Sequence, residues 1–194
     1  MRTDDPEFWN LMFSADEYVF GEGPSQYLKE KLSHLKPGRV LLPGEGEGRN
    51  AVYCAMQGWG VSAFDLSEKG KEKAEALAKK HNVQIDFEVG DVPEINYDEE
   101  YFDALVLIFA HFMPDKRARY HHRLINYLKP GGKVILEGHA RLGETADMRF
   151  DLDEIKSDFN GFKILESEVK IADMNEGKVI KGETNVVRFY GEKQ

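Results

Sequence analysis

Hydrophobic and polar positions follow two periods along this chain, and the switches between them delimit its elements. Val40-Leu41-Leu42 is a short apolar run stopped by Pro43-Gly44, as in a strand buried on both faces. Asn50–Gln57 places Ala51, Val52, Cys54, Ala55 and Met56 at helical spacing and is ended by Gly58. Val61–Phe64 reads as the next strand. Ser67 is a helix N-cap, and Glu68–His81 is a charged amphipathic helix with Ala74, Leu77 and Ala78 inward. Gln84–Val89 is a strand. Phe102–Ala110, the most apolar run in the chain, predicts a central strand. Lys116–Leu128 is a helix stopped by Pro130-Gly131-Gly132, and Lys133–Glu137 is a further strand.

This alternation, with apolar strands, predicts an α/β fold: an open parallel sheet covered by helices on both faces. The tail departs from the pattern. After a short helix at Leu152–Asp158, the β-rich runs Phe162–Ile171 and Thr184–Tyr190 flank the polar segment Asp173-Met174-Asn175-Glu176-Gly177. That segment predicts a turn, and the two runs an antiparallel hairpin closing the sheet. The lead-in carries a predicted helix at Ser25–Leu35 and the aromatics Phe8, Trp9, Phe13, Tyr18 and Phe20, expected to form a lid over a compact pocket. The expected organisation is a single domain: residues 1–38 as lid, 39–138 as core and 139–194 as C-terminal helix and hairpin.

Composition narrows the partners. The 194 residues carry 26 Lys+Arg and 35 Asp+Glu, a formal net charge of −9. An acidic chain argues against nucleic acid or an anionic membrane as partner, because phosphates are met by clustered Lys and Arg. The small basic cluster of Arg117, Arg119 and Arg123 does not offset the whole. The single cysteine, Cys54, allows no intrachain disulfide and sits on an apolar helix face. The acidic start Met1–Glu7 predicts no signal peptide, and no apolar run approaches a membrane span. A cytoplasmic protein, monomeric or homodimeric, is the expectation.

Candidate chemistry begins at Gly44-Glu45-Gly46-Glu47-Gly48-Arg49-Asn50, which follows a strand and opens a helix. Glycines let the chain turn tightly and a ligand approach the backbone. The helix N-terminus beyond offers free N–H groups to an anionic ligand group. The next strand ends in Asp65, 19 residues after Gly46, where a carboxylate can accept from both hydroxyls of a ribose. Gly46-x-Gly48-x-x-Ala51 satisfies a dinucleotide fingerprint, whereas Gly44, Gly46 and Gly48 satisfy the G-x-G-x-G of an S-adenosylmethionine (SAM) loop. The loop alone leaves both open.

Later segments separate them. Gly90-Asp91-Val92 ends the third strand with an acidic residue suited to an adenine amino group. The ordered series VLLPGEGEGRN, VSAFDLS, VGDVPEI, FDALVLIFAHF and LKPGGKVILE resembles the class I SAM-dependent methyltransferases over about residues 39–138. The loop and the lead-in Trp9…Tyr18-Val19-Phe20-Gly21…Pro24 resemble the small bacterial group near the tellurite-resistance and thiopurine methyltransferases. The resemblance implies a Rossmann-like three-layer sandwich with a seven-stranded, mostly parallel sheet whose last strand is antiparallel. It implies SAM as cofactor, S-adenosylhomocysteine as its product, and a small-molecule acceptor. Gly44, Glu45 and Gly46 would meet the methionine part, with Gly48 and Asn50 beside them. Asp65 would hold the ribose, with Leu66 next to it, and Asp91 with Val92 the adenine. Ile108 would complete the site, and Tyr18 would reach the cofactor from the folded-over lead-in. One position departs from the pattern: Leu42 stands where the family's first strand usually carries an Asp that steadies the loop.

In-line displacement at the sulfonium methyl needs alignment and exclusion of water, plus a base when the acceptor carries a proton. His111, just past the central strand, is the candidate base. Phe112, Glu137 and His139 are candidate acceptor-pocket residues. No metal site is expected: the adjacent His121 and His122 point about 100° apart on their helix. Two rival readings are a non-catalytic SAM-binding protein and an NAD-dependent oxidoreductase.

Overall fold

The computed structural model describes residues 4–142 and 149–194. In chain order the elements are α1 (Pro6–Met12), α2 (Gln26–Leu32), β1 (Arg39–Pro43), α3 (Arg49–Met56), β2 (Gly60–Asp65), α4 (Glu68–Lys80), β3 (Asp86–Val89) and β4 (Phe102–Ile108). They continue with α5 (Pro114–Asn126), β5 (Leu128–His139), α6 (Leu152–Asp158), β6 (Phe162–Glu176) and β7 (Ile180–Lys193). The strands form one seven-stranded sheet in the order β3-β2-β1-β4-β5-β7-β6. β1 to β5 pair in parallel, and β7 runs antiparallel between β5 and β6.

Strand alternation sorts the core into two layers. Leu41, Leu105, Leu107, Val134 and Leu136 face α5 and α6, meeting Tyr120, Leu124, Ile155 and Phe159. Val40, Leu42, Val106 and Ile135 face the other way, against Tyr27 and Leu28 of α2 and Ala51 and Cys54 of α3. This is the expected three-layer α/β sandwich. Cys54 is fully buried.

Three local readings are corrected. The hairpin turn lies at residues 177–179, not at Asp173–Gly177, because the ladder continues through Asp173↔Glu183 to Glu176↔Ile180. Met174 and Glu176 of this polar stretch are buried, which is what draws it into the strand. The Pro130-Gly131-Gly132 stretch does not separate helix from strand: α5 ends at Asn126 and β5 opens at Leu128, with the register shift taken up between Phe102 and Ala104 of β4. The lead-in holds a short helix, α1, that its aromatic spacing had not signalled. Asp5 caps it by accepting from the Glu7 N–H, and Pro6 opens it. No described helix is long and apolar enough to cross a membrane.

Candidate active site

β1 and β4 are neighbours, and their outgoing chains part to opposite faces, α3 on one and α5 on the other. That makes the carboxyl ends of β1 and β4 the topological switch point, where open α/β sheets bind ligands. The glycine loop leaves β1 here. Gly44, Gly46 and Gly48 have φ of +63°, +61° and +85°, a region other residues rarely adopt. At Gly48 a Cβ would also stand 2.5 Å from that of Ala74, so the glycine lets α3 close against α4.

Two carboxylates hold the loop. Asp65 at the end of β2 accepts the Gly46 N–H at 2.9 Å and the Ser67 N–H at 3.0 Å. Glu45 accepts the Asn50 and Ala51 N–H groups at 2.8 and 2.7 Å, capping α3 where its N-cap residue Gly48 has no side chain to do so. Burial pushes the Asp65 carboxyl up to about 6 and that of Glu45 up to about 7, although the amide donors pull both the other way. Leu42 is fully buried in the core; the loop is held instead by these two carboxylates and by the Phe64 carbonyl of β2, which accepts the Gly44 and Glu45 N–H groups at 2.8 and 3.2 Å.

Above the switch point lies a cavity of about 330 Å³. Of the residues singled out in the sequence, Gly44, Glu45, Gly46, Asn50, Asp65, Leu66, Asp91 and Ile108 border it on one side, and His111, Phe112 and His139 on the other. The roof is built from two segments distant in the chain. Trp9, Met12, Phe13 and Phe20 come from the lead-in, and Val179 and Ile180 from the tip of the β6–β7 hairpin. Of the five aromatics expected in a lid, Trp9, Phe13 and Phe20 line the cavity; Phe8 packs edge-on against Trp9 at 5.1 Å.

The roof is fastened to the glycine loop. Glu47 accepts the Phe20 N–H at 3.3 Å and pairs with Lys73 at 2.6 Å. Arg49 pairs with Glu176 of the hairpin at 2.6 Å, and both side chains are buried. Lys178 donates its N–H to the Val19 carbonyl at 2.9 Å, joining the two roof segments.

The wall carries a conformational outlier. Phe109 has φ +53°, in the left-handed region, and donates its N–H to the Glu137 carbonyl at 2.7 Å. A bulky residue held there marks strain of the kind that gathers at functional sites. It turns the chain so that His111 faces the cavity. The His111 and His139 rings lie parallel, 2° apart in plane and 5.9 Å between centroids. Burial holds His139 below the usual histidine range, which favours its neutral form.

Four expected site residues lie outside the lining. Tyr18 turns away: it packs against Val52, Leu77 and Ala78 and donates its hydroxyl to the Lys73 carbonyl at 3.0 Å. Gly48 shapes the α3 start. Val92 is buried in the α5-side core. Glu137 is fully buried opposite Arg188 on β7, paired with it at 2.7 Å, and accepts the Ser25 hydroxyl at 3.0 Å beneath α2. Its site-like position at a strand end is used to fasten α2 to the sheet. Lining residues that sequence reasoning missed include Arg49, Phe109, Tyr120, Val179 and Ile180. Arg49 stood inside the singled-out loop and Phe109 inside the apolar run Phe102–Ala110; Tyr120, Val179 and Ile180 carried no pattern that pointed to the site.

Comparison with known proteins fits this geometry. Residues 40–132 match the methyltransferase domain family. A thiopurine S-methyltransferase of Vibrio cholerae is 25% identical, with 86% of this chain and 79% of that protein covered. A ubiquinone biosynthesis O-methyltransferase of Rickettsia akari is 28% identical over 57% of this chain. The chain spans under half (46%) of that relative's length. A Burkholderia thailandensis 1,6-didemethyltoxoflavin-N1-methyltransferase, solved with bound 1,6-didemethyltoxoflavin and S-adenosylhomocysteine, superposes with a TM-score of 0.68 at 20% identity, covering 100% of this chain and 93% of that one.

Proposed function

We propose that this chain, which carries a class I SAM-dependent methyltransferase domain, transfers the methyl group of SAM to a compact, uncharged small-molecule acceptor. The observation that carries the reading is the joint lining of one cavity by the glycine loop, Asp65, Asp91 and the His111–His139 wall. The match over residues 40–132 spans the glycine loop and favours SAM over a nicotinamide dinucleotide there.

The residues divide the work. Gly44, Glu45, Gly46 and Asn50 border the methionine end, and Asp65 accepts from the ribose. Asp91 faces the adenine, with Leu66 and Ile108 beside the rings. The cofactor supplies an activated methyl group. The protein aligns the nucleophile with it and excludes water, which is the task of the aromatic roof. His111 stands where it can take a proton from the acceptor, and Phe112 and His139 complete the acceptor wall.

Two features support the acceptor class. The cavity volume sits near the lower end of the roughly 300–1,000 Å³ usual for small-ligand pockets, so the cofactor leaves space for a small partner only. The cations on its wall are already matched, Arg49 by Glu176 and Lys116 by Asp4. Among the described lining residues, the Lys and Arg side chains are thus already paired, which disfavours an anionic acceptor. The test is transfer of labelled methyl from SAM to a panel of neutral thiols, hydroxyl compounds and amines alongside selenium and tellurium oxyanions. Labelling of neutral nucleophiles is expected. Labelling of oxyanions alone overturns the acceptor class, and S-adenosylhomocysteine binding without labelling of any panel member favours a non-catalytic SAM-binding protein.

A further inference from the structure

We infer that Tyr120 is a specificity-determining positioning residue: it holds the Asp91 carboxylate in the orientation that selects adenine in the cofactor. The inference rests on the assignment of Asp91 to the adenine end. Tyr120 lies mid-way along α5 and is nearly fully buried, with its ring edge-on to Phe112 at 5.3 Å. Its hydroxyl donates to one oxygen of Asp91, while the other oxygen accepts the Val92 N–H at 2.8 Å. Both residues border the cavity.

A carboxylate has about four lone-pair positions, so two committed bonds fix its plane and leave acceptor capacity facing the cavity. A group held in this way accepts from an exocyclic amino group and repels a carbonyl oxygen in the same place. The same face of α5 grips the rest of the loop. Arg123, three residues on, donates to the Val92 carbonyl at 3.1 Å and to Asn96 at 2.7 Å, and the Tyr127 hydroxyl donates to the Ile95 carbonyl at 3.1 Å. The connection from β3 is therefore held by a helix that starts beside the acceptor wall. Arg123 belongs to the small basic cluster of Arg117, Arg119 and Arg123 noted in the sequence.

The experiment titrates the full chain with S-adenosylhomocysteine and with its analogue carrying a carbonyl oxygen in place of the adenine amino group. The wild type is expected to prefer the amino form. Tyr120→Phe is expected to lower that preference roughly tenfold, by weakening the amino form and leaving the carbonyl form near its wild-type affinity. Tyr120→Met, which also lacks the hydroxyl, repeats the reading in case the first variant folds poorly, and melting curves report folding for both. A purely structural role moves both ligands together, so a wild-type preference in folded Tyr120 variants overturns the inference. Asp91→Asn tests the assignment beneath it: its preference is expected to collapse, and retention of the wild-type preference removes the adenine role of Asp91 and the role of Tyr120 with it.

Discussion

The Asp65 carboxylate and the Gly46 amide meet at 2.9 Å, although 19 residues separate them. One bond therefore ties the end of β2 to the middle of the glycine loop. It sets both the loop's shape and the position of the carboxylate over which a ribose would lie. Replacing Asp65 with Ala is expected to weaken S-adenosylhomocysteine binding by about 1.5–3 kcal/mol, roughly tenfold to a hundredfold. Calorimetric titration of the folded variant measures it, and unchanged affinity sinks the ribose assignment.

The same residue predicts a pH dependence. Burial raises the Asp65 carboxyl to about 6, and only its ionised form accepts from two hydroxyls at once. Affinity for S-adenosylhomocysteine should be level above pH 7 and fall as pH drops through about 6. Asp65→Asn should be weaker at pH 8 and show a flatter profile. A wild-type profile level down to pH 5 contradicts the raised value.

Glu45 gives a stability prediction of fixed sign. Its carboxyl rises from 4.5 in the unfolded chain to about 7 in the fold, so the folded state holds the extra proton between those values. Stability from this group is full below about pH 4.5 and is lost as pH rises toward 7. Asp65 adds the same sign between 3.8 and about 6. Glu45→Gln keeps an acceptor for the α3 amides and cannot ionise. It should flatten the decline in urea-unfolding free energy between pH 4.5 and 7.5 by on the order of 1 kcal/mol. An unchanged slope would show that Glu45 ionises freely in the fold.

Sequence legibility follows the range of the physics. The strands, the glycine loop and Asp65 were readable because burial and turning impose local patterns: apolar runs, glycines at positive φ and an acid at a strand end. Tyr18 and Glu137 were misplaced because their partners are remote. The Lys73 carbonyl lies 55 residues from Tyr18, and the Ser25 hydroxyl 112 residues from Glu137. The roof shows the same limit. Val179 and Ile180 reach the cavity only because β6 and β7 pair through a stretch whose polarity reads as turn, and burial of Met174 and Glu176 is visible only in three dimensions. Phe109 gives no sign of its left-handed backbone, since φ at a non-glycine residue is imposed by its surroundings.

His111 stands at the cavity wall with its ring stacked on Phe150 at 5.2 Å. If it accepts the acceptor's proton, His111→Gln should lower kcat by about 10²–10⁴-fold toward any acceptor that is protonated at working pH. S-adenosylhomocysteine affinity should stay within about twofold, since the ring lies on the acceptor side. The rate of the variant should recover partly at high pH, where the acceptor ionises unaided. Equal rates for the two proteins at pH 7 would leave His111 as a wall residue.

The Arg49–Glu176 pair predicts how the roof is kept shut. Both charges are buried, and the bond is the direct link from the glycine loop to the hairpin. Removing one partner strands the other in a dry setting, which costs about 3–5 kcal/mol. Glu176→Gln should therefore lower the melting temperature and loosen the hairpin tip, exposing Val179 and Ile180 along with the Phe20 segment they cover. Arg49→Met paired with Glu176→Met removes both charges together and should recover most of the stability, because the apolar pair suits the Met174–Phe20 surroundings. Trp9 lines the cavity and Trp59 is buried beneath α3, so intrinsic fluorescence reports the roof selectively on ligand addition. In Glu176→Gln, S-adenosylhomocysteine should leave at least tenfold faster in stopped-flow traces, because the hairpin half of the roof is no longer pinned to the loop beneath the ligand. Loss of stability with an unchanged release rate would make the pair a structural bond alone and assign closure to the Glu47–Phe20 contact instead.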